Sequence, residues 1–366
     1  MTDTPYKKRV LFVLPGLEIP GSHTHALDHV PFLESRGWEV GVFDCSLPQT
    51  RKPWMSYPRP IRAVFRLRHA VIRILKPWGY PIVFFYVVPY PALLTRLLRL
   101  AGKRIIYDLD DPLFMSAQGP DGKPLPPRLP GEVVFPILRE VTQVVSFSPH
   151  LVQRLGEINP NAGVLMNPVD ASAYSPREKE SAADRPVRIG WVGTPHHLRN
   201  LGHIAPALRR IKERFGERVD LVYVCRESVN YLDMMRWIRF ADAPEPEHFR
   251  SLDIGITPLV PDEYNRFKGS GKTLQYMSVG IPTVATRHGV NETMIKDGET
   301  GFLCKTDEEW YLTLTRLVEN PDLRRRIGKN ARDFVLQHHD VSVWRPWFER
   351  FLLGELPHVS VSSKEP

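Results

Sequence analysis

Short apolar runs alternate along the first half of the chain with stretches whose apolar residues recur at helical spacing. Near-continuous apolar runs predict buried parallel strands, and the amphipathic stretches predict the helices that connect them. The expected strands cover 9–15, 38–44, 82–88, 104–108 and 143–148. A glycine-containing loop, 16–22, separates the first strand from the first helix. This order of elements is typical of a doubly wound α/β domain.

The same pattern starts again after the polar stretch 172–186, which is the expected linker. Further strands are predicted at 188–193, 220–225, 253–258 and 281–285, with helices between them. The chain is therefore predicted to be an α/β protein with two Rossmann-like domains, because 366 residues are long for a single core. The expected domains are 1–170 and 171–340, followed by a helix over 341–354 and a disordered tail, 355–366.

Composition favours a cytoplasmic globular protein. The three cysteines, at 45, 225 and 304, have no close spacing, which argues against a disulfide framework or a zinc site. A signal-peptide core is not recognisable, and no apolar run reaches the length of a transmembrane helix. We expect a cytoplasmic location, with peripheral attachment to the inner face of a membrane as an additional expectation from the charge pattern.

Positive charge is concentrated in one part of the chain. Between Asp44 and Asp108 there are twelve Lys or Arg residues and no acidic residue. Within this window, 61–76 is amphipathic at helical spacing. One sector contains Arg62, Arg66, His69, Arg73 and Lys76, whereas Arg68 breaks the pattern. A basic helix with aromatic neighbours suits an anionic membrane surface. The alternative is an ordinary helix with its apolar side on the core; no nucleic-acid module is recognisable, so no nucleic acid partner is expected.

The richest pattern lies in 265–303, where a cationic loop is followed by a helix, a short apolar strand and a second polar loop. Gly269, Ser270 and Gly271 allow close approach of the backbone to a ligand. Lys272 follows at the expected start of the helix, where free amide N–H groups favour an anion. The sequence Gly-Ser-Gly-Lys-Thr also resembles the end of a P-loop. A P-loop requires a glycine six residues before the lysine, and this chain has Arg266 at that position, which argues against a P-loop.

Taken in order, these pieces resemble the donor-binding half of glycosyltransferase family 4, retaining enzymes of the GT-B fold. The resemblance uses the Lys-rich loop 268–272, Gly280-Ile-Pro282, the loop 289–293 and the turn 297–301. It implies two doubly wound domains facing a central cleft, with the 341–354 helix crossing back onto the first domain. It also implies a nucleoside-diphosphate sugar as co-substrate, no cofactor, no bound metal, and transfer with retention of anomeric configuration.

Two departures from the family pattern concern carboxylates. The family has two Glu residues eight positions apart, and the matching positions here are Phe267 and Gln275. Gln275 can hydrogen-bond a hydroxyl but carries no charge. In the later loop Thr293 takes the aligned position, and Glu292 precedes it.

The resemblance places the donor between cations, N–H groups and polar side chains, which stabilise the departing diphosphate. The expected donor-binding residues are Gly193, Thr194, Arg199, Lys268, Gly269, Ser270, Gly271, Lys272, Thr273, Gln275, Asn291 and Glu292.

Asp108-Leu-Asp-Asp111 ends a predicted strand and is expected at the acceptor side. Lys272, Asp110 and Asp111 are the candidate catalytic residues, and Gly16, Gly21, Ser22, His23 and His25 are expected to line the acceptor side. The expected acceptor is lipid-linked or a precursor of a bacterial surface glycan. Two alternatives remain open: a metal-dependent glycosyltransferase that uses Asp108 and Asp110, and a non-catalytic nucleotide-sugar-binding protein.

Overall fold

The computed structural model describes residues 7–46, 59–118, 123–165, 168–176, 185–229, 232–269 and 271–355, without the side chains of 59–66 and 196. The chain divides into two compact units. The first unit contains the residues up to 115, 127–167 and those from 345 onwards. The second unit contains 116–126 and 168–344. The tail predicted to be disordered lies outside the described residues, apart from Glu355.

The first unit is built on a parallel six-stranded sheet. Its strands are β1 (Arg9–Leu14), β2 (Glu39–Asp44), β3 (Ile82–Tyr86), β4 (Arg104–Asp108), β7 (Gln143–Ser146) and β8 (Ala162–Val164). The order across the sheet is β2-β1-β3-β4-β7-β8. The apolar runs that predicted β1, β3, β4 and β7 are almost entirely buried, because helices cover a parallel sheet on both faces. The run that predicted β2, at the edge of the sheet, is only partly buried.

Short helices surround this sheet. They are α1 (Pro20–His25), α2 (Val30–Ser35), α3 (Arg59–Leu75), α4 (Ala92–Leu100), α5 (Gly131–Glu140) and α6 (Pro149–Gly156). The apolar residues Ala26, Leu27, Val30 and Leu33 predict one helix after the first loop, and this prediction is wrong: α1, a 3-10 turn at Leu27–His29 and α2 are present instead. Pro20 and Pro31 explain the division, since proline is suited to the first turn of a new helix.

The second unit contains another parallel six-stranded sheet. Its strands are β9 (Val187–Val192), β10 (Val219–Cys225), β11 (Arg236–Arg239), β12 (Ile254–Thr257), β13 (Thr283–Thr286) and β14 (Phe302–Cys304). The order is β11-β10-β9-β12-β13-β14, and a two-stranded ribbon joins β5 (Ala117–Gln118) to β6 (Pro124–Leu125). The α/β fold class with two Rossmann-like sheets is confirmed.

Nine helices are described in or entering this second unit. They are α7 (Leu198–His203), α8 (Ala205–Phe215), α9 (Glu245–Arg250), α10 (Glu263–Phe267), α11 (Gly271–Ser278), α12 (Asn291–Met294), α13 (Asp307–Glu319), α14 (Pro321–His338) and α15 (Val341–Leu352). The segment 201–215 is divided between α7 and α8, because Pro206 lies in the first turn of a new helix.

Helix α15 belongs to the first unit from Arg345 onwards. Its Glu349 is buried and accepts hydrogen bonds from Trp38 Nε1 at 3.0 Å, Lys8 Nζ at 2.9 Å and Arg36 Nε at 3.0 Å. These partners hold the pKa of Glu349 below its usual range, although its burial acts in the opposite direction. Three charged or polar donors on one carboxylate therefore attach the last turns of α15 to this unit.

Candidate functional site

Most of the candidate residues lie in loops at the carboxyl ends of four strands: β1 and β4 in the first unit, and β9 and β12 in the second. In the second unit, β9 and β12 are neighbours whose crossovers run in opposite directions across the sheet. The carboxyl ends of such strands form the usual ligand-binding position of a doubly wound domain. Gly193 and Thr194 follow β9, and the cationic loop before α11 follows β12. The sheet topology thus brings the two predicted donor loops to one edge.

Close packing fixes the position of α11. A Cβ atom at Gly255 of β12 would lie 2.5 Å from the Tyr276 ring, so glycine allows the helix to approach the strand. The buried Tyr276 hydroxyl accepts a hydrogen bond of 2.8 Å from Val192 N, at the end of β9. Lys272, in the first turn of α11, is therefore held near the carboxyl ends of both strands.

The ammonium group of Lys272 is paired with a carboxylate that the sequence analysis did not identify. Lys272 Nζ lies 2.6 Å from Oε1 of Glu245 and 5.4 Å from the centre of the Phe249 ring. Both charged side chains remain about one-third exposed, at 36 and 34 %. Burial would raise the pKa of Glu245, but Lys272 and Gln275 lower it, so the carboxylate stays charged.

Gln275 joins the same cluster. Its Nε2 donates to the Tyr174 hydroxyl at 2.6 Å and to Glu245 Oε1 at 3.2 Å. Glu245 lies 30 positions before Gln275, and Tyr174 lies 101 positions before Gln275. Both belong to segments without a recognisable motif. Only the folded sheet brings them together, so no local pattern in the sequence could have identified them.

The other two cations of the donor loops bridge the strand ends. Arg199 is predominantly buried and pairs with Asp262 at 2.6 Å, so its positive charge is neutralised within the protein. Lys268 contacts the imidazole of His197 through its ammonium group. Each contact joins the segment after β9 to the segment after β12, which stabilises the geometry of the site.

The glycines of the two donor loops occupy different structural positions. A Cβ atom at Gly193 would lie 2.3 Å from the Trp191 ring, and Gly193 N donates to Val224 O at 3.0 Å. Thr194 is exposed. Gly271 begins α11 directly before Lys272, Gly269 is described in the loop, and Ser270 lies outside the described residues.

Two polar residues that were predicted to bind the donor are instead internal. Thr273 and Asn291 are completely buried, and their side chains lie 3.4 Å apart. Asn291 Nδ2 also donates to Thr286 O at 3.1 Å. The two side chains therefore connect α11 to the loop after β13 and do not face open space. Glu292, the next residue, is exposed at the start of α12.

A second polar cluster lies in the first unit, where β1, β3 and β4 end beside each other. His25 Nδ1 donates to Asp108 Oδ2 at 2.6 Å, and His25 Nε2 lies 3.6 Å from Asp110 Oδ2. The His25 ring stacks on Tyr86 at 4.6 Å, and the Tyr86 hydroxyl donates to Asp110 at 2.8 Å. Asp108 and His25 are buried, whereas Asp110 is 26 % exposed.

The neighbouring aspartates determine the protonation states of His25 and Tyr86. Burial alone would lower the pKa of His25, but the neighbouring carboxylates, Asp108 foremost, raise it to about 9. Burial and the same carboxylates also raise the pKa of Tyr86. At neutral pH the imidazole is therefore a cation and the phenol is neutral. The Asp110 carboxylate receives support from both and keeps exposed surface for a ligand.

The remaining acceptor-side candidates divide by burial. A Cβ atom at Gly21 would lie 1.9 Å from the Tyr86 hydroxyl, so glycine is required for this contact. Ser22 is buried, and its hydroxyl has no hydrogen-bond partner among the described residues. His23 is half-exposed and lies 3.3 Å from Asp28, outside the buried cluster. Gly16 is buried in the loop after β1, and Asp111 follows Asp110.

The predicted basic helix is present as α3, but the described part has the opposite orientation from an ordinary surface helix. His69 of α3 is partly buried and contacts Asp44 O at 3.0 Å, whereas Arg68 is exposed. In the turn directly after α3, Lys76 Nζ donates to Val42 O at 2.7 Å. Arg73 is half-buried. The alternative with the apolar side on the core is therefore wrong for this part. The side chains of Arg62 and Arg66 lie outside the described residues.

The apolar residues of α3 are exposed and have exposed neighbours on α4. The two helices lie on the same face of the sheet, because both belong to right-handed crossovers running in the same direction. Tyr90, just before α4, donates to Ile74 O at 3.1 Å, which joins the two. This apolar surface consists of Leu67, Val71, Ile72, Ile74, Leu75, Trp78, Leu93, Leu97 and Leu100.

Within the described helices, none combines the length and apolar character that crossing a bilayer requires. The described residues also contain no group of three His, Cys, Asp or Glu side chains arranged to hold a metal ion. Asp108 and Asp110, the pair considered for a metal, both approach the His25 ring.

Comparison with known proteins places these sites in context. The sequence pattern of the family described as glycosyl transferases group 1 matches residues 270–334, which include Lys272 and Gln275. A glycosyltransferase 1 domain-containing protein 1 of Xenopus tropicalis is 31 % identical over 85 residues, 23 % of this chain and 25 % of that protein. A D-inositol 3-phosphate glycosyltransferase of Stackebrandtia nassauensis is 28 % identical over 193 residues, 45 % of this chain and 42 % of that protein. The matched region spans less than half of these two curated relatives.

Solved structures match almost the whole chain. Anabaena HepE in complex with UDP and glucose has a TM-score of 0.66 at 15 % identity, with 95 % of this chain and 100 % of that chain covered. Sucrose-phosphate synthase from Thermosynechococcus elongatus has a TM-score of 0.69 at 14 % identity, covering 94 and 98 %. The fold is GT-B. The match to the family of glycosyl transferases concerns residues 270–334 of this fold.

Proposed function

We propose that this protein transfers a sugar from a nucleoside diphosphate to an acceptor hydroxyl, and that the donor binds in the second unit. The observation that carries the proposal is the position of Lys272. It lies in the first turn of α11, after the strand β12, within the segment that matches the glycosyltransferase pattern. Its ammonium group keeps exposed surface, unlike the predominantly buried Arg199.

The proposed chemistry places negative charge at this lysine. When the bond to the sugar breaks, the diphosphate gains charge, and a preorganised cation lowers the barrier to that step. Lys268 contributes a second ammonium group from the adjoining loop. The loop glycines, which carry no side chain, allow the phosphates to approach the backbone.

The acceptor is proposed to bind in the first unit at Asp110. Its carboxylate is partly exposed and is held by Tyr86 and the His25 cation. A carboxylate in this state accepts a hydrogen bond from a hydroxyl group and orients it. We propose retention of anomeric configuration, in which the leaving phosphate takes the acceptor proton, so that Asp110 orients the hydroxyl. We also propose that the protein belongs to glycosyltransferase family 4.

Donor binding is tested by isothermal titration calorimetry with UDP, GDP and ADP. We expect one of them to bind, and we expect Lys272→Ala to weaken its affinity by about 10- to 100-fold, since a charge-assisted phosphate contact is lost. Lys329→Ala is the matched control, because Lys329 is an exposed lysine of α14 paired with Asp333. If Lys272→Ala keeps the wild-type affinity, the proposed donor site is wrong.

Transfer itself separates an enzyme from a non-catalytic binding protein. The assay follows release of nucleoside diphosphate from UDP-, GDP- and ADP-sugars with glycan and lipid-linked acceptors. We expect Asp110→Asn to reduce the rate about 100-fold while donor affinity is kept, because the change is confined to the acceptor side. Donor binding without turnover by the wild type on any acceptor would support the non-catalytic alternative.

The acceptor is proposed to be lipid-linked or a surface-glycan precursor, with an anionic membrane surface as the partner. The support is the apolar surface of α3 and α4, which lies in the acidic-free window with twelve Lys or Arg residues. Leu67 and Leu93 are 66 and 68 % exposed. Exposed leucines next to a positive chain segment match the interfacial region of an anionic bilayer, which offers both acyl chains and negative headgroups.

Vesicle flotation tests this part separately. We expect the protein to float with vesicles of phosphatidylglycerol and phosphatidylcholine, and less with phosphatidylcholine alone. Leu67→Ser with Leu75→Ser should reduce flotation several-fold, whereas Leu312→Ser, an exposed leucine of the second unit, should not. Flotation that is absent, or that is unchanged in the double variant, would remove the membrane from the proposal.

A further inference from the structure

Glu245 is a carboxylate without an assigned role at the centre of the proposed donor site. It is the first residue of α9, and its Oε1 lies 2.6 Å from Lys272 Nζ and 3.2 Å from Gln275 Nε2. Gln275 occupies one of the two positions that the family pattern described in the sequence analysis would fill with Glu. The charge that is missing from position 275 is therefore present in contact with that residue, on another helix.

Aromatic residues fix the surroundings of this carboxylate. The Phe249 ring packs edge-on against Tyr174 at 5.6 Å and lies 4.9 Å from the Tyr276 ring. Tyr174 accepts the second hydrogen bond of the Gln275 amide. Phe249 is buried and follows Glu245 by four positions, one turn along α9. Glu245 therefore lies one turn from a packed aromatic cluster, and its own side chain is partly exposed.

The Lys272–Glu245 pair is suited to partner exchange. Both side chains are about one-third exposed, and pairs of this kind contribute little to stability. A diphosphate carries more negative charge than one carboxylate and so competes well for the ammonium group. After such an exchange Glu245 keeps the Gln275 amide on one oxygen and has acceptor capacity for ligand hydroxyls.

A nucleoside-diphosphate sugar offers the matching groups. Its phosphates are anions for Lys272, and its ribose and sugar hydroxyls are donors for a carboxylate. We propose that Glu245 is the acidic residue of the donor site: it is bound to Lys272 in the free protein and accepts a donor hydroxyl when Lys272 binds the diphosphate. This inference rests on the proposed function and names how that site recognises its ligand.

The test uses calorimetry on the full chain with two probes of different composition. Inorganic pyrophosphate carries the charge without hydroxyls, and whichever of UDP, GDP and ADP binds the wild type carries both. Glu245→Gln should bind pyrophosphate about 3- to 10-fold more tightly, because a competing carboxylate is removed. It should bind the nucleoside diphosphate or its sugar conjugate about 10-fold more weakly, because a charged acceptor is lost.

The ligand that Glu245→Gln binds more weakly than the wild type does shows whether the hydroxyl bound by Glu245 belongs to the ribose or to the sugar. A loss with the nucleoside diphosphate that disappears with its 2′-deoxy or 3′-deoxy form indicates the ribose. A loss that occurs only with the sugar conjugate indicates the sugar. Glu247→Gln is the matched control, since Glu247 lies on the same helix and pairs with Arg250 instead. The double variant Glu245→Gln with Gln275→Glu, which returns the charge to position 275, should recover most of the lost affinity.

The opposite signs for the two probes are the decisive result, because misfolding would weaken both. Equal affinities of Glu245→Gln and wild type for both probes would overturn the inference, and so would equal weakening of both. If the wild type binds no nucleoside diphosphate at all, the failure belongs to the proposed function and not to the role of Glu245.

Discussion

Two ion pairs with the same N–O distance have different structural roles in the two units. His25 Nδ1 and Asp108 Oδ2 are 2.6 Å apart in the first unit, and Lys272 Nζ and Glu245 Oε1 are 2.6 Å apart in the second. Their exposure differs: 6 and 1 % in the first pair, 36 and 34 % in the second. Distance alone therefore says little about what either pair contributes.

Burial determines the consequence. In the first unit, removal of one partner would leave the other group buried without its hydrogen-bonded counter-charge, so the pair is fixed and positions its neighbours. In the second unit water solvates either group, so the partners can separate at little cost. The first arrangement suits a permanent support for Asp110, and the second suits a cation that must change partners when a ligand binds.

The largest expected effect comes from breaking the buried pair. Asp108→Ala should reduce the free energy of unfolding by roughly 3–5 kcal/mol, because it leaves His25 buried without its hydrogen-bonded counter-charge. Equilibrium urea denaturation measures this. Asp28→Ala removes the partner of the half-exposed His23 and should cost less than about 0.5 kcal/mol. Similar losses in the two variants would contradict the role given to burial.

The next effect is a pH dependence that only the buried pair provides. The pKa of His25 is raised to about 9 from its ordinary 6.5, so its stabilising contribution is complete below pH 6.5 and is lost as pH rises through 9. The shift corresponds to about 3 kcal/mol. The groups that act on His25 are Asp108, Asp110 and Asp111, with Tyr86 stacked on the ring and the neutral His29 nearby.

Urea denaturation between pH 6 and 10 measures this dependence as a difference between wild type and His25→Gln. Subtraction removes the titration of lysines and tyrosines elsewhere, which both proteins share. A difference in the free energy of unfolding that stays constant across this range would show that the buried imidazole does not titrate there.

The sequence predicted the sheets better than it predicted the sites. Apolar runs such as 104–108 coincide with observed strands. A parallel strand that is buried on both faces consists of a continuous apolar run, so it can be recognised from its own residues alone. The short edge strands β8, β11 and β14 were not predicted. Two of them are only three residues long, and β11 is largely exposed, so none has a clear apolar run.

The candidate residues depended on contacts that no local pattern encodes. Lys272 was predicted from glycines and a helix start, and the structure describes it in the first turn of α11. Glu245 and Tyr86 were missed because each meets its partner only in the folded protein: Glu245 contacts Lys272 between helices α9 and α11, and Tyr86 contacts Asp110 between the ends of neighbouring strands. Asn291 was named from its position in a polar loop, whereas its buried amide serves the protein interior.

A smaller effect tests how strictly the first cluster is built. Gly21→Ala places a Cβ atom 1.9 Å from the Tyr86 hydroxyl, so the ring must move away from Asp110 and His25. We expect a loss of about 1–3 kcal/mol in the free energy of unfolding, as for other overpacked sites. Gly79→Ala is the control, because nothing lies within 4 Å of the added atom. Equal stability of both variants would mean that Tyr86 can be displaced freely.

The smallest expected effect is on the open pair, and its small size is the informative result. A double-mutant cycle with Glu245→Ala and Lys272→Ala should give a coupling free energy below about 1 kcal/mol, because solvent screens both charges. The corresponding cycle for His25 and Asp108 should exceed it several-fold. If the Lys272–Glu245 coupling instead reaches the value of the buried pair, the lysine is fixed in place. A diphosphate would then have to break a strong interaction, and the exchange of partners at the donor site would lose its physical basis.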